Sequence, residues 1–169
     1  TWYVPNNMAL ILVGDFDIEA TKPLIEKTFG KLEARPLPER TQYPTTAFEQ
    51  DERYSAKLGY MPELYIAYNG VPVGDKDELL LDFLGEILSN SMQIGLLDEL
   101  TLDNKLMYAG AVNDVRRDQG RFLVVAVPYM DAETQTYTSL KETEKLVNEA
   151  IQQLVIGNIT EELVEAVRQ

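Results

Sequence analysis

Residues 106–128, LMYAGAVNDVRRDQGRFLVVAVP, hold two apolar runs, 106–112 and 122–128, either side of a charged turn that closes at Gly120. Both runs are short, and the second is rich in Val and Phe, so they read as strands and not as helices. With only a short turn between them they can pair only as a hairpin. That makes the sheet at least partly antiparallel, and the rest of the fold has to be built around it.

Upstream, Leu80, Phe83, Leu84, Ile87 and Leu88 recur at three and four residues after Asp77, which predicts a helix burying one face. The polar loop Ser89, Asn90, Ser91 follows, then a shorter helix over 94–100. Alternation of Leu64, Ile66 and Tyr68 with Tyr65 and Ala67 predicts a strand stopped by the Asn69-Gly70 turn. Downstream, a long helix from Thr136 is expected to bury Leu140, Val147, Ala150, Ile151, Leu154 and Val155 and to end near Gly157. Thr160 then caps a last helix that carries Glu161 and Glu162 in its first turn.

At the other end, residues 8–13 (MALILV) form a continuous apolar run that reads as a buried strand. The helix after it carries Leu24, Ile25, Thr28 and Phe29 on one stripe and stops at Gly30, a residue suited to a left-handed helix end. Either Asp17 caps this helix and Pro23 lies inside it, or Thr21 caps it and Pro23 falls in the first turn. Residues 32–50, with Pro36, Pro38 and Pro44, read as an extended connector. The order of elements lacks the strand-helix alternation of a doubly wound sheet. It implies an α+β fold, a two-layer sandwich with helices packed on one face of a mixed, largely antiparallel sheet. Residues 1–169 are read as a single domain, a fragment of a larger chain.

Composition narrows the chemistry. The 169 residues contain no His and no Cys, which excludes Ser-His-Asp triads, Cys-His dyads and any N- or S-ligated zinc site within them. Only carboxylate chemistry is left, and the close acids Asp15/Asp17, Asp75/Asp77/Glu78 and Asp98/Glu99 sit where helix caps and exposed helix faces are expected. Phosphate-binding and calcium-loop motifs are absent. The net charge of −13 repels a phosphate backbone, so no nucleic-acid partner is expected. No apolar run approaches the ~20 residues of a membrane helix, so no membrane segment is expected. Eight acids lie within residues 75–103, opposed only by Lys76, a run read as a solvated face.

The segment Tyr3-Val-Pro-Asn-Asn-Met8 leading into the apolar run and Gly14-Asp15, with Phe29-Gly30 closing the next helix, resembles the start of the second domain of a half in the pitrilysin/insulinase family of zinc peptidases. Residues 80–112 are similar to that domain's helix, small-residue loop, second helix and L-x-Y strand start, here Leu106-Met107-Tyr108. Residues 159–168 resemble its closing I-T-x-E-E-L helix, so the likeness covers nearly the whole chain.

The resemblance implies an inverzincin, whose H-x-x-E-H helix lies in the preceding domain. No catalytic and no metal-ligating residue is therefore assigned here, and zinc is expected in that preceding domain of the full-length protein. The implied partners are the catalytic domain of the same chain, a peptide substrate, and a second half or a homo- or heterodimeric partner. The family's companion half carries an Arg and, seven residues later, a Tyr that meet the substrate. The matching positions here are Thr101 and Tyr108, so only Tyr108 is carried over as a substrate-binding residue, beside its plainer reading as a strand tyrosine packed at an edge. Ser89-Asn90-Ser91 also replaces the family's glycines. Two readings follow: a non-catalytic chamber domain of an active metalloendopeptidase, or a domain of an inactive homologue serving as a structural or processing-partner subunit. The compartment stays open, the resemblance favouring a bacterial cytoplasm or periplasm.

Overall fold

A computed structural model describes residues 2–41, 48 and 50–168. Pro44 of the expected connector lies outside the described residues. The chain divides into two compact units, residues 1–42 and 43–169.

In the first unit, a 3-10 turn over Pro5–Asn7 leads into residues 8–13, which form no strand. Met8, Ile11 and Val13 are exposed, Val13 at 93%. This corrects the expected buried strand. Hydrophobicity can prepare a strand, but a strand is held by the ladder of a neighbour, and among the described residues none pairs with this run. Helix α1, Ile18–Phe29, resolves the capping alternative in favour of Asp17, whose carboxylate accepts from the Ala20 amide at 2.7 Å. Pro23 lies inside the helix, where it cannot donate to the Glu19 carbonyl. Gly30 is right-handed with φ −64°, not left-handed, because its amide still bonds the Glu26 carbonyl in helical fashion. The Asn6 side chain both donates to and accepts from the Arg35 backbone, and the Arg40 guanidinium stacks 4.8 Å over the Trp2 ring.

The second unit is built on three antiparallel strands: β1 (Leu64–Asn69), β2 (Leu106–Asp114) and β3 (Arg121–Pro128), in the order β1-β3-β2. The expected hairpin forms, with Asp114 opposite Arg121 at its closed end. Phe122, Val124 and Ala126 alternate onto the buried face of the central strand. Against that face pack α2 (Glu78–Leu88), α3 (Leu96–Leu102) and α4 (Leu140–Val155), through Leu88, Leu97, Val147 and Ala150. The last helix, α5 (Glu161–Val167), packs on α2 and is capped by Thr160, whose hydroxyl accepts from the Leu163 amide at 3.2 Å. This is the α+β architecture, helices on one face of an antiparallel sheet.

Two helix faces differ in detail from their expected phase. On α2 the expected Ile87 and Leu88 are buried and Phe83 and Leu84 half-buried, but Leu80 is more than half exposed, while Leu81 packs against the core. α4 starts at Leu140 behind the Ser139 cap, not at Thr136, and both Leu140 and Val155 at the two ends are exposed. In both cases the apolar stripe is wider than the surface available to cover it, so the flanking residue is left in water.

Asp114 closes the hairpin. It accepts from Arg121 Nε at 2.9 Å and is gripped by Arg116 through Nε at 2.8 Å and a second nitrogen at 3.1 Å. The bonds from Arg121 first, and then Arg116, hold its carboxyl below the usual carboxylate range. A depressed folded-state value means that the stabilisation is present above the unfolded value of ~3.9 and is lost as pH falls through the folded one. Asp114→Asn should therefore lower the urea midpoint at neutral pH, and its gap to the wild type should close in strong acid. An equal gap at both pH values would contradict this.

Candidate functional site

The placement of Tyr108 is decided by one irregularity. In β2, Leu106 stands opposite Pro128 and Tyr108 opposite Val127, so Met107 is an extra residue, a β-bulge. Strict alternation would put Leu106, Tyr108 and Gly110 on the same face. With the bulge, Leu106, Ala109 and Ala111 face the helices, and Tyr108, Gly110 and Val112 turn to the opposite side. Ala111 is only half-buried, but it packs against the core with the others.

That opposite side is open. Across it the register aligns Tyr65, Val125 and Gly110 in one row and Ala67, Leu123 and Val112 in the next. Tyr108 is 55% exposed, and its ring lies back across Gly110, where an added Cβ would come 2.7 Å from the phenol oxygen. The missing side chain at Gly110 is what leaves room for this ring. Tyr65 is also exposed and donates its hydroxyl to Glu63 at 2.7 Å. The surface is apolar, with phenol groups at its margins, a combination suited to contact with an extended chain.

Thr101, in the position that the family resemblance matches to an Arg, sits on α3 with its hydroxyl donating to the Asp98 carbonyl at 2.7 Å. A short neutral side chain tied to its own helix cannot reach or pair with a carboxylate as a guanidinium would. Of the pair, only Tyr108 stands on the open face.

The loop from Ser89 to Gly95 is held by a residue that the sequence reading placed on an exposed face. Asp98 is buried, at 6% exposure. Its carboxylate accepts from Gly95 N at 2.9 Å, Asn90 N at 3.0 Å and Ser89 Oγ at 3.1 Å. The Asn90 side chain completes the loop, donating to the Glu86 carbonyl and accepting from the Met92 amide. The available signal was Gly95-x-x-Asp98 behind a polar loop, the spacing at which an acid in the first turn bonds the amide at the helix cap. The other acids act as caps and turns: Asp17 on α1, Asp75 accepting from the Asp77 amide, and Glu78 from the Gly74 amide.

Among the described residues no three His, Cys, Asp or Glu side chains are placed to hold a metal ion. None of their helices is long and apolar enough to cross a membrane. With neither His nor Cys in the sequence, the residues present do not fit a zinc site.

Comparison with known proteins places this geometry in context. The family model described as the peptidase M16 inactive domain matches residues 1–169, across both units. A solved structure, a protease from Helicobacter pylori, superposes with a TM-score of 0.66 over 92% of this chain at 19% identity. At that identity the likeness shows the fold. The chain spans 37% of the length of that protein. No curated protein sequence matches the chain.

Proposed function

This chain belongs to the peptidase M16 family as its inactive domain, and from that premise we propose that it lines the substrate chamber of a zinc-dependent metalloendopeptidase. In this reading residues 1–169 are one domain of a longer polypeptide. The zinc, the H-x-x-E-H helix and the reacting groups belong to a preceding domain, and this chain supplies wall. The observation that carries the reading is the bulge at Met107, which turns Tyr108 onto an uncovered apolar sheet face where an extended peptide has surface to lie on. Tyr108 is the substrate-contact residue of the proposal. Its role is to bind and orient, with no proton or electron transferred through it.

The test uses the full-length protein. It should contain stoichiometric zinc and cleave an unstructured peptide, and chelation should abolish cleavage. Tyr108→Ala should raise KM several-fold with little change in kcat, the signature of lost uniform binding. A full-length protein without zinc or the H-x-x-E-H sequence would sink the active-peptidase reading and favour the structural-subunit one, for which Thr101 in the place of an Arg already speaks. An unchanged KM in the Tyr108 variant would remove that residue from the site.

A further inference from the structure

We infer that the groove between the extended segment 51–63 and α4 is a docking site for an acidic, extended peptide segment bearing apolar side chains. This goes beyond the chamber reading and does not depend on it, since it concerns binding by this chain alone.

The groove has a volume of about 1270 Å³ and is open to solvent. It exceeds the roughly 300–1,000 Å³ typical of small-molecule pockets, a size that suits a chain segment better than a compact ligand. Its charge is opposite to that of the protein. Arg53, Lys57, Lys141 and Lys145 line it against Glu63 and Glu144, so four of the chain's 15 cations but only two of its 28 acids are found there. Arg53 and Glu144 satisfy each other through two bonds of 2.7 Å, and Glu142 stands 3.7 Å from Lys145. Lys57 and Lys141 have no carboxylate partner among the described residues. Two ammonium groups are thus available to a ligand on a chain of net charge −13.

The same groove is lined by apolar side chains in water. Leu58 is 94% exposed, and Tyr60 is fully exposed beside it. Large apolar groups held out together mark interaction surfaces. At one end the lining reaches Leu64 and Tyr65, the first residues of β1. Among the described residues β1 is an edge strand, paired only with β3. Its outer amides and carbonyls are open to an added strand, which gives the peptide backbone its own partners. Cations, exposed aromatics and a free strand edge converge on one occupant, an extended acidic peptide with interleaved apolar residues. A nucleic acid would share the charge but would be repelled along the rest of its backbone by the acidic surface.

Fluorescence anisotropy with the 169-residue chain tests this. The probes are a labelled peptide alternating Glu with Leu and Tyr, its twin with Lys at every Glu, and a single-stranded oligonucleotide, all at physiological salt. The acidic peptide should bind about 10-fold or more tightly than the basic one, and Lys57→Glu with Lys141→Glu should weaken it by at least about that factor. Tyr60→Ala, at a position that cannot disturb the core, should weaken both peptides. Circular dichroism confirms that each variant is folded. Failure of the acidic peptide to bind, equal affinity for the two peptides, unchanged affinity in the folded double variant, or preference for the oligonucleotide would each overturn the inference.

Discussion

Asp98→Ala is expected to destabilise the larger unit by about 2–4 kcal/mol, because it strands the buried Gly95 amide, the half-buried Asn90 amide and a serine hydroxyl at once. The amides of Asn90 and Gly95 both bond the same oxygen, Oδ2, while Ser89 bonds Oδ1. An amide side chain can reproduce this arrangement. With its oxygen in the Oδ2 position it still accepts from both amides, and its nitrogen can donate to Ser89 once that hydroxyl rotates. Asp98→Asn therefore loses only the charge assistance and the favourable charge at the start of α3, at a cost of about 1 kcal/mol. Urea unfolding gives both costs. Hydrogen exchange at Asn90 and Gly95 separates the causes, with protection lost in the Ala variant and kept in the Asn variant. Equal destabilisation by the two substitutions would mean that the charge, not the geometry of the three donors, holds the loop.

The same loop shows how far sequence reading reaches. Elements whose signal is local were legible: the hairpin 106–128 from two short apolar runs around a charged turn, α5 from Thr160, and the two-layer order from the succession of patterns. Elements that depend on a partner were not. The run 8–13 has the composition of a buried strand, yet no local feature states whether a ladder is offered to it. Asp98 and Glu99 look alike in sequence, and burial of Asp98 follows from the return of α3 against the end of α2, a tertiary event.

The site was half legible. Tyr108 was found through a family pattern, but its direction was not, since a single inserted residue reverses the face of everything on one side of it. Nothing in Leu106-Met107-Tyr108 marks Met107 as the extra residue. It is read only from the register with β3. The groove beside α4 was invisible for the same reason, because Lys57 and Lys141 lie 84 positions apart in the sequence.

Gly95→Ala should cost about 3 kcal/mol, at the upper end of what overpacking does, with alanine also the poorer residue at the helix cap that Gly95 occupies. Gly95 has φ −73°, which any residue adopts, so backbone strain does not enter. The cost is steric. A Cβ at this position would lie 2.5 Å from the Leu88 carbonyl oxygen and 2.8 Å from the Ser89 nitrogen. Both are backbone atoms at the C-terminus of α2 and cannot rotate away, so α3 has to retreat as a body. Gly95 and Asp98 both belong to α3 and move together, so that retreat draws the Asp98 carboxylate away from the Asn90 amide and the Ser89 hydroxyl, which makes the two substitutions two ways of opening one clamp. The double variant Gly95→Ala/Asp98→Ala should then be destabilised by clearly less than the sum of the singles, as expected for residues sharing one network. Full additivity in urea unfolding would instead show that the close approach of α2 and α3 and the carboxylate clamp act independently, and that Asp98 stays bonded to Asn90 and Ser89 after the helix has moved.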